Sequence, residues 1–231
     1  MKLSVVIPVY NEVKYIEDVI KKVKDVNIEK EIVVVDDFST DGTREILKGL
    51  QEDGVKVFFH EKNKGKGAAL RTGFKYTAGE VIIIQDADLE YDPQDYIKLM
   101  EPINSGIAEV VYGSRFLERR YTPDYKNLFY LFHFIGNKIL SFLVSILYFT
   151  KITDMETCYK VMKRDVLDNM NLTATGFEIE PEITVKILRR GFKIYEVPIN
   201  YVPRDYREGK KISWRDGINA IYVLFKYRFK K

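Results

Sequence analysis

The stretch that most constrains the fold is Val81-Ile82-Ile83-Ile84-Gln85-Asp86-Ala87-Asp88-Leu89-Glu90. Four β-branched apolar residues in succession, with no polar alternation, predict a parallel strand buried on both faces. Such a strand needs neighbouring strands and covering helices, which confines the chain to an α/β architecture. In an open α/β sheet, ligands bind beyond the carboxyl ends of the strands. Asp86 and Asp88 therefore fall where a substrate would lie. On an extended backbone residues i and i+2 point the same way, so Asp86, Asp88 and Glu90 form one row. Hard oxygen donors of this kind suit Mg²⁺ or Mn²⁺, which often share them with substrate phosphates. A polar exit from a strand into a turn gives the same letters, because Asp favours turns. The pair alone does not separate the two readings.

The same pattern recurs along the chain. Residues 4–10 predict a first buried strand ending near Pro8, and Asn11 and Glu12 open a helix with apolar positions at Val13, Ile16, Ile20 and Val23. Residues 31–37 predict a second strand that closes on Asp36 and Asp37, and Ser39, Thr40 and Asp41 offer caps for the helix that follows. Residues 55–59 and 110–113 read as further strands, and Asp92-Pro93 is a helix start, with a capping residue ahead of proline. Strands alternating with helices predict βαβ units in a doubly wound, mostly parallel sheet. No linker, repeat or low-complexity segment interrupts the 231 residues, so the expectation is a single domain.

Three strand ends thus carry acids: Glu12, then Asp36 and Asp37, then Asp86 and Asp88. An edge so acidic repels phosphate unless a divalent cation and basic side chains offset it. Lys64, Lys66, Arg71 and Arg115 are the candidates, Arg115 because it follows the strand end at 113 directly; for Lys64 and Lys66 a solvated loop is the competing reading. Gly65-Lys66-Gly67 matches neither phosphate-loop spacing nor G-x-G-x-x-G, and is read as close backbone packing near the site. One cysteine and two histidines exclude a disulfide framework and argue against structural zinc, and Cys158 suits a reducing cytosol. The N-terminus starts directly on a strand-like run and shows no signal peptide. His60 and His133 are expected to be buried and satisfied.

Residues 128–149 are long and apolar, but His133, Asn137, Ser141 and Ser145 recur every four residues and predict one polar stripe on a helix. The uninterrupted apolar runs fall short of the roughly 20 residues a membrane span needs. An amphipathic helix that packs on the sheet or lies against a membrane fits both facts. The net charge is +3, yet Arg204, Arg207, Lys210, Lys211, Arg215, Lys226, Arg228, Lys230 and Lys231 face only Asp205, Glu208 and Asp216 at the C-terminal end. A basic end of this kind is a solvated face, a nucleic-acid patch or a membrane-surface patch. No recognition-helix motif accompanies it, so no nucleic-acid partner is expected. Ser213 is placed as the cap of a terminal helix.

The ordered segments Pro8-Val9-Tyr10-Asn11-Glu12, Val35-Asp36-Asp37, Asn63-Lys64-Gly65-Lys66-Gly67-Ala68, Asp86-Ala87-Asp88 and Gly113-Ser114-Arg115 resemble the motifs of family 2 glycosyltransferases with the GT-A fold. More narrowly, Gly113-Ser114-Arg115, the Asp154 region and the 204–211 loop resemble polyprenol-phosphate sugar transferases. The loop departs from that pattern at Glu208 and Lys210. The resemblance implies a GT-A doubly wound fold, with residues 1–115 as the sugar-nucleotide part and 116–231 as the acceptor side, carrying helix 127–149 and basic loop 204–213.

The resemblance also implies roles. Pro8, Tyr10, Glu12 and Asp37 would hold base and ribose, with Lys66 and Ala87 in the same donor site; Asp86 would touch the nucleotide's sugar or a metal-bound water. Asp88, with Glu90 beside it, would ligate Mg²⁺ or Mn²⁺ on the diphosphate of a UDP- or GDP-sugar, although relatives carry Gln where Glu90 stands. Arg115 would meet the donor diphosphate or acceptor phosphate, Asp154 would orient or deprotonate the acceptor, and Arg204, Lys210 and Lys211 would bind a polyprenyl (dolichyl or undecaprenyl) phosphate. The implied activity is inverting hexosyl transfer of the dolichyl-phosphate mannosyltransferase type, in the cytoplasm, peripheral at the inner face of the cell membrane. A glycan or small-molecule hydroxyl acceptor, or an inactive nucleotide- or membrane-binding module, would account for parts of the same pattern.

Overall fold

A computed structural model describes residues 1–51, 53–119, 128–204 and 214–229. One seven-stranded sheet runs through it in the order β3-β2-β1-β4-β6-β5-β7. Its strands are β1 (Leu3–Val9), β2 (Lys30–Asp36), β3 (Lys56–Phe59), β4 (Val81–Ile84), β5 (Val110–Ser114), β6 (Lys160–Lys163) and β7 (Ile194–Pro198). The flanking helices are α1 (Ile16–Asp25), α2 (Thr43–Leu50), α3 (Lys66–Lys75), α4 (Tyr96–Asn104), α5 (Leu128–Tyr148), α6 (Arg164–Leu167), α7 (Ile179–Arg189) and α8 (Trp214–Phe229). Strands β1 to β4 are mutually parallel, β5 and β7 are parallel, and β6 alone runs antiparallel, wedged between β4 and β5. The sheet therefore draws strands from both sides of residue 115, and this is the doubly wound, mostly parallel architecture expected.

The opening apolar run is the centre of that sheet. Val81, Ile82, Ile83 and Ile84 are fully buried, and burying each such side chain contributes about 1.5–3 kcal/mol. Gln85 ends the strand with its polar atoms satisfied. Tyr96 and Tyr159 donate hydroxyl hydrogens to its Oε1 at 2.5 and 2.8 Å, and its Nε2 donates to the Asp86 carbonyl. The chain leaves the strand sooner than the i, i+2 argument assumes. Residues past Ile84 form a turn with Leu89 in the left-handed region (φ 59°), so Asp86, Asp88 and Glu90 do not form one extended row. Helix α1 likewise begins at Ile16 and not at Asn11, because Asn11 sits at φ 51° and residues 11–13 donate to Ser39, Thr43 and Asp41.

The glycines at 65 and 67 pack as expected. Gly65 has φ 92°, and a Cβ there would strike the Thr175 carbonyl; a Cβ at Gly67 would lie 2.7 Å from the Ala174 carbonyl oxygen. The start of α3 is thereby pressed against the segment that leads into α7.

Glu182 ties the C-terminal helix α8 to α7 and to the segment that precedes it. Its carboxylate accepts from the Thr173 and Ala174 amides, the Thr173 hydroxyl, Lys186 Nζ and the Tyr227 hydroxyl of α8. Burial works against the charge, yet these donors, Lys186 first, hold the carboxyl down to about 2. A depressed carboxylate stabilises above its unfolded pKa, and that contribution is lost as pH falls. Glu182→Gln should lower stability by about 1.5–3 kcal/mol at neutral pH. It should also flatten the loss of stability between pH 5 and 2, read by thermal melts across that range.

Candidate active site

A cleft of about 370 Å³ opens at the carboxyl ends of β1, β2, β4 and β5, within the size range of small-molecule sites. It brings together the expected Pro8, Tyr10, Glu12, Asp37, Lys66, Asp86, Ala87, Asp88, Glu90, Arg115 and Arg204. Chain segments nearly two hundred residues apart meet there, and three features organise it.

The first is an anchor for the loop ahead of α3. Asp37, buried at the end of β2, accepts from the Lys64 and Gly65 amides at 2.9 and 2.6 Å. His60 Nδ1 lies 2.6 Å from its Oδ1, and His60 Nε2 reaches Thr72 at 2.9 Å, so His60 is buried and satisfied as expected.

The second is a chain of buried charges along the floor. Lys66 Nζ bridges Asp86 Oδ1 at 2.7 Å and Glu180 Oε1 at 3.0 Å, and Lys160 Nζ meets Glu180 Oε2 at 2.5 Å. Burial opposes the charge on Lys66, but Asp86 and then Glu180 hold it well above the ordinary lysine range. Burial likewise opposes the charge on Asp86, and Lys66 keeps that carboxyl below its ordinary value. Lys66 is therefore part of the site and no solvated loop residue, while Asp86 is spoken for by Lys66.

The third is the acidic rim. Asp88 Oδ1 accepts from the Glu90 amide, and its Oδ2 lies 3.1 Å from Arg204 Nη2. Arg204 also reaches Glu12 at 2.8 Å through Nη1. Glu90 accepts from the Tyr201 hydroxyl and the Arg204 amide, both at 2.8 Å. Burial first, then Glu90 and Asp86, push the Asp88 carboxyl up to about 7. The expected acceptor residue Arg204 thus sits on Glu12 and Asp88 as their counter-charge. Lys210 and Lys211 lie outside the described residues, as does Ser213.

The donor set here suits a divalent ion that is shared with a ligand. Among the described residues no three His, Cys, Asp or Glu side chains converge on a metal position. Two neighbouring carboxylates, Asp88 and Glu90, do meet at the rim, and the first carries charge its surroundings disfavour. Mg²⁺-type sites are often built this way, from one or two carboxylates completed by substrate phosphates and water.

Arg115 lines the cleft as expected, whereas Asp154 does not reach it. Asp154 is fully buried, behind the cleft wall. Its Oδ2 accepts from the Arg115 amide at 3.0 Å and Nε at 2.7 Å, and its Oδ1 from Nη2 at 2.7 Å. Both oxygens are engaged by Arg115, so Asp154 faces the guanidinium and not the open cleft. What Asp154 does orient is the guanidinium, held against the ring of Tyr201 at 5.1 Å.

Helix α5 forms one wall, and its orientation reverses the usual one. His133 and Asn137 line the cleft, so His133 is half-buried at the site and no core histidine. Ser141 is buried and accepts from the Met155 amide. The polar stripe faces inward. Outward lie Phe132, Ile135, Ile139, Phe142 and Ile146, with Phe149 just beyond, at spacings of three and four. Residues Tyr130–Tyr148 are long and apolar enough to cross a membrane by length and composition, with a mean hydropathy of 1.5.

Sequence reasoning missed Glu156, Phe177, Tyr91 and Tyr201, which also line the cleft. Only proximity to the 154 motif pointed toward Glu156.

Parallel strands ending on an acidic, nucleotide-sized cleft define an α/β enzyme fold of the GT-A type. The chain belongs to Glycosyl transferase family 2, whose family model matches residues 4–170. It is 32% identical over 213 residues to the dolichol-phosphate mannosyltransferase of Pyrococcus furiosus, covering 91% of this chain and 59% of that protein. It is 30% identical over 228 residues to glycosyltransferase AglJ of Haloferax volcanii, covering 98% of this chain and 71% of the relative. The chain thus spans little more than half the length of the first of these relatives. In fold it resembles glucosyl-3-phosphoglycerate synthase of Mycobacterium tuberculosis, solved with Mn²⁺, UDP and phosphoglyceric acid. The TM-score is 0.73 at 20% identity, over 99% of this chain and 78% of that one.

Proposed function

We propose that the protein is an inverting, metal-dependent transferase that moves a hexose from a UDP- or GDP-sugar to a polyprenyl phosphate at a membrane surface. The observation that carries this reading is the two-faced helix α5, polar toward the cleft and bare apolar on the outside. A bilayer surface is the environment in which such a face is favourable. Exposed Ile218, Tyr222, Phe225 and Phe229 on α8, with Lys226 and Arg228 beside them, extend it with the charge that anionic lipids attract. The name of the Pyrococcus relative agrees with a dolichol-phosphate acceptor. The protein would then work in the cytoplasm, peripheral at the inner face of the cell membrane.

In this reading residues 1–115 form the donor side and 116–231 the acceptor side of one domain. Pro8, Tyr10, Glu12, Asp37 and Ala87 wall the nucleoside, while Asp86 and Lys66 hold the floor beneath it. Asp88 and Glu90 would hold Mg²⁺ or Mn²⁺ on the diphosphate. A divalent ion there supplies Lewis-acid stabilisation of the charge on the departing diphosphate. Arg115, fixed by Asp154, adds a guanidinium whose pull grows as that charge develops. The anomeric carbon becomes oxocarbenium-like, and a single in-line attack inverts it. A lipid phosphate is already an anion at neutral pH and needs no base, which suits an Asp154 whose oxygens are both engaged. Arg204, with Lys210 and Lys211, would turn to the acceptor phosphate once a cation takes over the acids it now neutralises.

The test is transfer from radiolabelled UDP- and GDP-sugars, with Mn²⁺, to undecaprenyl or dolichyl phosphate in vesicles. Label extractable into organic solvent is the expected result, and label appearing only on a hydroxyl acceptor rejects the lipid reading. In the same preparation Ile139→Asp with Phe142→Asp should abolish co-sedimentation with anionic vesicles while leaving the melting temperature unchanged.

A further inference from the structure

Glu156 lines the cleft, and its Oε1 is buried with no hydrogen-bond partner among the described residues. A buried acceptor left unmade costs about 1–3 kcal/mol, so its persistence in a site calls for a ligand that completes it. The charges around it decide what kind of ligand. Lys160, Glu180, Arg115 and Asp154 are its charged neighbours. Arg115 is matched by Asp154, Lys160 by Glu180, and Lys66 by Asp86 and Glu180. The pairs balance among themselves, which leaves the Glu156 carboxyl without a basic partner of its own among the described residues, and burial pushes it up to about 7. It repels a phosphate and accepts from a neutral O–H donor. The diphosphate belongs at the opposite rim, beside Asp88 and Glu90, where a cation can mediate. The ring of Phe177, with Lys66 5.8 Å from its centre, adds an apolar surface to the same floor.

We infer that Glu156 is a specificity-determining residue that accepts a hydrogen bond from a hydroxyl of the transferred hexose. This rests on the sugar-nucleotide reading proposed above. In this assignment Glu156 would contact the sugar and not the nucleoside or the diphosphate, so its removal would separate binding of the sugar from binding of the carrier. A glutamine keeps one acceptor oxygen and retains part of the contact.

Calorimetric titration with Mn²⁺ tests this, using UDP-glucose, UDP-N-acetylglucosamine and GDP-mannose against bare UDP and GDP. In Glu156→Ala the affinity for the preferred sugar nucleotide should fall about 10-fold, the worth of one hydrogen bond to a charged group. Affinity for the matching diphosphate should stay within twofold, and Glu156→Gln should lie between alanine and wild type. Equal weakening of both ligands would show that the side chain only shapes the cleft, and overturns the inference. Unchanged binding with a collapsed kcat would make Glu156 a base for a hydroxyl acceptor, and also overturns it. Wild-type protein that binds no nucleotide at all sinks the donor reading itself, an outcome distinct from either.

Discussion

Asp88→Asn is expected to lower kcat/KM by at least about a thousandfold while leaving the fold intact. The loss follows from the work assigned to the acidic rim. A cation on the diphosphate supplies several kcal/mol of transition-state stabilisation, and each 1.36 kcal/mol is tenfold in rate. The stability side has the opposite sign. Asp88 is held among Glu90 and Asp86 with Arg204 as its counter-charge, and its carboxyl is pushed up to about 7. Its charge therefore opposes folding as pH rises toward neutrality. An asparagine of the same shape removes that repulsion while Arg204 keeps Glu12 at 2.8 Å. The variant should melt no lower than wild type without metal, and it should lack the stabilisation that Mn²⁺ plus nucleotide is expected to give the wild type. Full activity in Asp88→Asn would end the metal role. Lost activity with a lower melting temperature would point to misfolding.

The second large effect is expected at the Arg115–Asp154 pair. Asp154→Ala leaves a buried guanidinium without its partner, and uncompensated buried charge of this kind costs about 3–5 kcal/mol. The double variant Arg115→Ala with Asp154→Ala should recover part of that loss, because two buried neighbours in contact are not additive. Asp154→Asn separates positioning from proton transfer. If the carboxylate acts only through Arg115, turnover falls but the pH–rate profile keeps its shape. A general base would cost about 10²–10⁴ in rate, and its limb would vanish from the profile. The three bonds from Arg115 to Asp154 favour the first outcome.

The two pairs also show where sequence reasoning reaches its limit. That Asp88 and Arg115 belong to one site was legible, because each follows the end of a buried strand and such ends converge on one sheet edge. That Asp154 lies behind Arg115 was not legible. A motif carboxylate reads the same whether it faces a substrate or a neighbouring guanidinium. Glu156 escaped for a related reason: one orphaned oxygen among balanced ion pairs is a property of three-dimensional charge arrangement and leaves no mark on spacing.

Helix α5 makes the same point on a larger scale. The four-residue recurrence of His133, Asn137, Ser141 and Ser145 fixed a polar stripe, because the α-helical period is a local property. Which way the stripe turns depends on what lies opposite, and here it turns to the cleft. The outward apolar face is the consequence of that choice.

The sequence by itself determined the strands, their order of acids and the family. Burial of a β-branched run and the placement of its carboxyl end are decided within ten residues, as at Val81 to Asp88. Tertiary structure alone decided the pairings. Arg204 meets Asp88 across 116 positions and Glu12 across 192. At such separations no local propensity acts, and partners are chosen by the packing of the sheet and by the cost of leaving a buried charge unpaired.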